Sequence, residues 1–131
     1  MERLERLLEV KNKMNFLKVV EEIVAKDSRY KVEAYDFVMG ALNYTQSKFD
    51  KPRHVSGQKL LEGIKEYGLE CFGLMARTVF ENWGVRRTED FGNIVFNMVD
   101  AGLMSKTEKD SIEDFKHGYD FKEAFDKGYK Y

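Results

Sequence analysis

Trp83-Gly84-Val85-Arg86-Arg87-Thr88-Glu89-Asp90-Phe91, continued by Ile94-Val95-Phe96-Asn97-Met98-Val99-Asp100-Ala101-Gly102-Leu103, decides the fold class. Leu74, Met75, Val79, Phe80 and Trp83 recur at helical spacing before it, and Gly84 supplies a stop because glycine accepts the left-handed backbone of a helix end. Thr88 then reads as an N-cap, with Glu89 and Asp90 suited to the positive end of the helix dipole. Phe91, Ile94, Val95, Met98 and Val99 form one apolar stripe, and Gly102 closes it. Two short helices across a tight turn match the outline of a helix-turn-helix, with a wing to follow. A helix that reads DNA presents donors near its N-terminus. This one presents Glu89, Asp90, Asn93, Asn97 and Asp100, so base reading is not favoured.

Toward the N-terminus the same periodicity continues. Leu4, Leu7, Leu8, Met14, Leu17, Val20, Ile23 and Val24 predict a first helix over 4–26, with a break at Asn12-Lys13 as an alternative. Residues 1–13 read as a helical arm, native or appended, before a single helical domain over 14–131. Such an arm either packs on its own domain or forms the seam of a homodimer. Ala34, Phe37, Val38, Ala41, Leu42 and Thr45 predict a second helix over 32–49, which Pro52 ends by disfavouring helical geometry at Lys51. Ser56 is placed to cap a third helix carrying Leu60, Leu61, Ile64, Tyr67 and Leu69. Gly63 and Gly68 inside it suggest close approach of a neighbouring backbone, and Gly73 a corner.

The C-terminal segment is ambiguous. Ser105-Lys106-Thr107-Glu108 fits a capping box, while 103–115 also fits a short β-hairpin. Asp120-Phe121-Lys122-Glu123 fits a second box that opens a final short helix. The expected fold is mainly α, a single domain of five to seven helices, winged-helix-like with one hairpin near 103–115.

The charge balance narrows the function. Charged residues make up 34% of the chain, yet the net charge is −1, so the average field does not attract polyanions. Arg53, Arg86 and Arg87 are the nucleic-acid candidates, and the two arginines before the fifth helix are thin support. Hydrophobic residues at 43% supply a core without a metal or disulfide staple. Cys71 is the only cysteine, so no internal disulfide can form, and between Glu70 and Phe72 it reads as buried and inert. The start resembles no signal peptide and no stretch reaches the roughly 20 apolar residues of a membrane span, which points to the cytoplasm and away from the membrane.

No catalytic signature stands complete. There is no phosphate loop, dinucleotide fingerprint or serine elbow. His54 and His117 are the only imidazoles, neither with a second ligand at metal spacing, so no metal and no cofactor is expected. The polar run Arg53-His54-Val55-Ser56-Gly57-Gln58 is the strongest candidate site. Arg53, His54, Ser56 and Gln58, joined by Arg87, could bind a small anion or a protein partner at the start of the third helix. The bland alternative has His54 packing, Ser56 capping and Gln58 solvated.

Several motifs carry a resemblance. Arg29-Tyr30, Ala34-Tyr35-Asp36-Phe37-Val38, Arg53-His54-Val55-Ser56-Gly57-Gln58, Leu60-Leu61-Glu62-Gly63, Trp83-Gly84, Arg87-Thr88-Glu89-Asp90-Phe91-Gly92, Ile94-Val95-Phe96-Asn97 and Gly118-Tyr119-Asp120-Phe121 together resemble a conserved hypothetical bacterial family restricted largely to Verrucomicrobia and Planctomycetes. The likeness covers 14–125. It implies a bacterial cytoplasmic protein and gives no activity to carry over. The expectation is a small non-catalytic binding or regulatory module. A nucleic-acid-binding domain is the alternative, and an enzyme acting on a phosphorylated or anionic small molecule at the His54 loop is the third reading.

Overall fold

The computed structural model describes residues 2–49 and 54–127, with side chains over 11–49 and 54–126. Five α-helices dominate it: α1 (Glu2–Lys26), α2 (Val32–Gln46), α3 (Gly57–Phe72), α4 (Ala76–Asn82) and α5 (Thr88–Asp100). A 3₁₀ turn at Gly73–Met75 joins α3 to α4, a second covers Ile112–Phe115, and a π-helical turn spans Lys122–Lys127. α2 packs on both α3 and α5, and the Ile112–Phe115 turn sits against α3 and α5. Together these elements form one helical domain.

Helix α1 runs without a break at Asn12-Lys13. Lys11 to Asn15 are all exposed, and α1 joins the core from Phe16 onward, burying Val20 and Ile23. Helix α2 ends at Gln46, short of the expected Phe49, and buries Ala34, Phe37, Val38, Ala41 and Thr45 as its periodicity requires. Tyr35 is also fully buried, because its hydroxyl meets the Asn97 side chain at 3.0 Å.

The Ser56 hydroxyl accepts the Lys59 N–H at 3.3 Å and caps α3. The α3 glycines do mark close approach, but to side chains rather than backbone. A Cβ on Gly63 would lie 1.8 Å from Thr45 Oγ1, and one on Gly68 would lie 2.8 Å from the Phe80 ring. Phe80 is the hub of the core, with ring centroids 5.1 Å from Phe37 and from Phe125, and 5.4 Å from Phe91. Such tilted and edge-on pairs each add about 0.5–1.5 kcal/mol beyond area burial.

Two expectations around α4 need correction. Leu74 and Met75 precede the helix in the 3₁₀ turn and are exposed rather than on a buried face. Cys71, expected to be buried, is exposed in the last turn of α3. The Gly84 stop holds. Val85 N–H donates to Phe80 O at 2.8 Å and Gly84 N–H to Glu81 O at 3.0 Å, the paired bonds of a Schellman end with Gly84 at φ +94°. Gly102 ends α5 in the same way, through Leu103 N–H to Met98 O and Gly102 N–H to Val99 O.

Helix α5 is capped differently from the sequence expectation. Arg87 occupies the N-cap position, and Asp90 accepts the Arg86 and Arg87 N–H groups at 2.9 and 3.2 Å. Thr88 is the first helical residue and is buried, where it donates to Phe115 O at 2.7 Å and accepts from Gly118 N–H at 3.1 Å. It ties the C-terminal segment down.

The hairpin and the winged-helix likeness are not present: among the described residues there is no strand. The segment 103–115 lacks the alternation that a half-buried strand needs, and local caps take its backbone groups instead. Asp110 accepts the Thr107 N–H, and Ser111 pairs reciprocally with Asp114 to start the Ile112–Phe115 turn. The expected box opening at Ser105 starts no helix. At Asp120 one half of the expected box is present, Glu123 N–H donating to Asp120 Oδ1 at 3.1 Å at the start of the π-helical turn.

Candidate functional site

Phe115 organises the region around His54. Its ring sits between the starts of two helices, where a Cβ on Gly57 would lie 3.1 Å from the ring and one on Gly92 would lie 2.8 Å from Phe115 Cβ. Only hydrogen at both positions lets the Ile112–Phe115 turn seat this deeply. With Phe115 2% exposed and its carbonyl held by Thr88, the segment 103–115 is fixed as the outer wall of a cleft. Leu42 and Gln46 of α2, Leu60 of α3, and Val95 and Val99 of α5 form the other walls. The cleft has a volume of about 240 Å³.

His54 stands at its rim. Nε2 donates to Asp110 Oδ2 at 2.6 Å, with the imidazole side chain 41% exposed and the carboxylate 18%. Asp110 Oδ2 also accepts the Thr107 N–H at 2.8 Å and the Thr107 hydroxyl at 3.2 Å. Burial pushes the Asp110 carboxyl up, but the Thr107 N–H, the His54 imidazole and the Thr107 hydroxyl outweigh it, so the group sits below its usual range. The pair joins the loop before α3 to the outer wall. Lys106, Ser105 and Gln46 complete the rim.

The structure distributes the sequence candidates unevenly. Arg53 lies outside the described residues. His54 reaches the cleft, Ser56 spends its hydroxyl on the α3 cap, and Gln58 faces Asp114 at 3.5 Å, a weak contact. His54 and Ser56 share no hydrogen bond, since the imidazole N–H faces Asp110. Arg87 is exposed at the start of α5 and does not line the cleft. Arg86 and Arg87 make no ion pair among the described residues, but Arg86 adjoins Glu81 and Asp120, which interrupt any basic surface there. His117 is exposed with φ +53° in the turn before Gly118, and among the described residues no group of acids, His and Cys is spaced to hold a metal. No described helix is long and apolar enough to cross a membrane.

Sequence reasoning missed Asp110, Lys106, Gln46 and Phe115. The available signals were Thr107 three residues before Asp110, the spacing of a local turn, and glycines near the starts of two helices, where a foreign ring would fit.

A second polar cluster lies across the fold. Arg29 donates through Nε and a terminal nitrogen to Asp27 at 2.9 and 2.7 Å, and Asn97 donates to the same carboxylate at 3.0 Å. The Arg29 contacts, supported by Asn97 and opposed by burial, hold the Asp27 carboxyl well below its usual range. Nearby, the Tyr30 hydroxyl donates to Asp90 at 2.7 Å and accepts from Asn93; burial first, then the Asp90 contact, pushes it up to about 12. Because the folded Asp27 ionises at lower pH than the unfolded one, its stabilisation is full above about pH 4 and is lost as pH falls further. Asp27→Asn is expected to cost about 1 kcal/mol at pH 7 in urea unfolding. The gap from the native chain should narrow at pH 3.

No protein-family model, curated protein or solved structure matches this chain.

Proposed function

We propose that the chain is a small non-catalytic binding module of the bacterial cytoplasm, and that it holds an apolar ligand group in the cleft beside His54. The observation that carries this reading is the division of the cleft. Leu60, Val95 and Phe115 line it from the buried core, with Leu42 and Val99 half-buried beside them, while His54, Ser105 and Lys106 line it from exposed positions. Pockets that bind small ligands have this character, an apolar lining with a few placed polar groups. The volume exceeds the roughly 150 Å³ of an engineered apolar cavity that accepts benzene. At the rim, the imidazole is joined to a carboxylate and not to a nucleophile, which favours binding over hydrolysis.

Octanol is a suitable probe, with Val99→Trp as the comparison because the indole fills the cleft from its α5 wall. At a tenfold excess over Kd, binding should add about 1.4 kcal/mol to the native chain and raise Tm by about 5 °C. The folded Val99→Trp variant should show no rise. Equal responses in both proteins, or none in either, would contradict the reading.

A further inference from the structure

The rim of the cleft separates committed charges from uncommitted ones, and the separation points to the sign of the ligand. Asp110 Oδ2 already accepts three internal donors, from His54, the Thr107 N–H and the Thr107 hydroxyl. Asp114 Oδ2 accepts the Ser111 N–H at 3.1 Å, and Oδ1 faces the Gln58 amide. These carboxylates hold the outer wall in place. An amine that approached Asp110 Oδ2 would have to compete with three donors that are already positioned.

The donors at the mouth are in the opposite state. The Lys106 ammonium is exposed, and among the described residues it makes neither an ion pair nor a hydrogen bond; the Gln46 and Ser105 side chains make none either. An ammonium, an amide and a hydroxyl can all donate, and together they match a carboxylate better than a cation. Below them lies the apolar depth, where each buried methylene contributes about 0.8 kcal/mol.

We infer that the cleft binds a small monocarboxylic acid with an apolar body, the chain or ring inside and the carboxylate at the mouth on Lys106, Gln46 and Ser105. The inference rests on the cleft being the binding site and adds the chemistry of the ligand. It also places the anion differently from the sequence expectation. The acid is met by Lys106 on the outer wall, where the sequence expectation had the 53–58 run and Arg87.

The test is calorimetric titration of the full chain with octanoate, octanol and octylamine at neutral pH and low salt. The expected order of affinity is octanoate, then octanol, then octylamine. Lys106→Gln should weaken octanoate about two- to fivefold, the range of one exposed ion pair, and leave octanol unchanged. Lys106→Glu should invert the order of octanoate and octylamine. Both substitutions are at an exposed position, and an unchanged Tm verifies that each variant is folded. Octylamine binding as tightly as octanoate, or octanoate affinity that ignores both Lys106 variants, overturns the inference. If octanol binds with those results, the cleft survives as a site and only the acid is wrong; if none of the three binds, both readings fail.

Discussion

Gly84→Ala is expected to destabilise the domain by about 3 kcal/mol or more, against about 1 kcal/mol for Gly102→Ala. Both glycines close a helix in the same hydrogen-bonded form and both have positive φ, +94° and +80°. The backbone strain of an added side chain is therefore similar at the two sites. Their surroundings differ. A Cβ on Gly84 would lie 2.2 Å from the Arg29 carbonyl oxygen, whereas one on Gly102 meets nothing within 4 Å. The Arg29 oxygen cannot move alone, because the neighbouring Lys31 N–H donates to Trp83 O at 3.1 Å and ties the α1–α2 link to the end of α4. Relief of the clash breaks that bond and shifts Tyr30, whose hydroxyl is fixed by Asp90 and Asn93. Urea unfolding of the two variants side by side measures the difference. Equal losses would mean that the α1–α2 link yields freely, and the tight seat of that link on α4 would be wrong.

Phe115→Ala should cost about 3–5 kcal/mol, the usual range for removing a buried phenylalanine. The ring is 2% exposed and lies between two glycines that have no side chains to collapse into the space. It also faces Phe96 edge-on, with centroids 6.5 Å apart. The loss has a functional consequence, since Phe115 seats the outer wall of the cleft. Where the variant remains folded, octanol should no longer raise its Tm. Leu and Met at the same position are expected to restore part of the stability, because the demand is for apolar volume.

The parts of the fold that could be read from the chain are those set by near neighbours. Ser56 caps α3 through Lys59, three residues away, and Gly84 and Gly102 end helices whose stripes are visible in sequence. Thr88 shows the limit of that reasoning. A threonine before two acids reads as a cap, but the demand of Phe115 O and Gly118 N–H for a buried hydroxyl moves it one place into the helix. The hairpin reading of 103–115 failed for a related reason. Local caps at Asp110 and Ser111 turn its backbone away from pairing, and nothing in the segment says that Phe115 then inserts between Gly57 and Gly92. At the cleft, His54 was legible as an unusual polar residue before a helix. Its partner Asp110 and the apolar depth behind it arise from contacts between distant segments. Cys71 was misjudged because its neighbours in sequence, Glu70 and Phe72, do not decide which way the last turn of α3 faces.

The most direct measurement of the central claim is a map of backbone amide chemical shifts during titration with octanol. Saturable changes gathered on Leu42, Leu60, Val95, Val99, Leu103 and Phe115 are predicted, together with His54 and Asp110 at the rim. The exposed apolar pair Leu74 and Met75, at 47% and 56% exposure, offers an internal comparison on the same molecule. Changes centred there, or spread weakly over every exposed apolar residue, would show that the cleft is not the binding site.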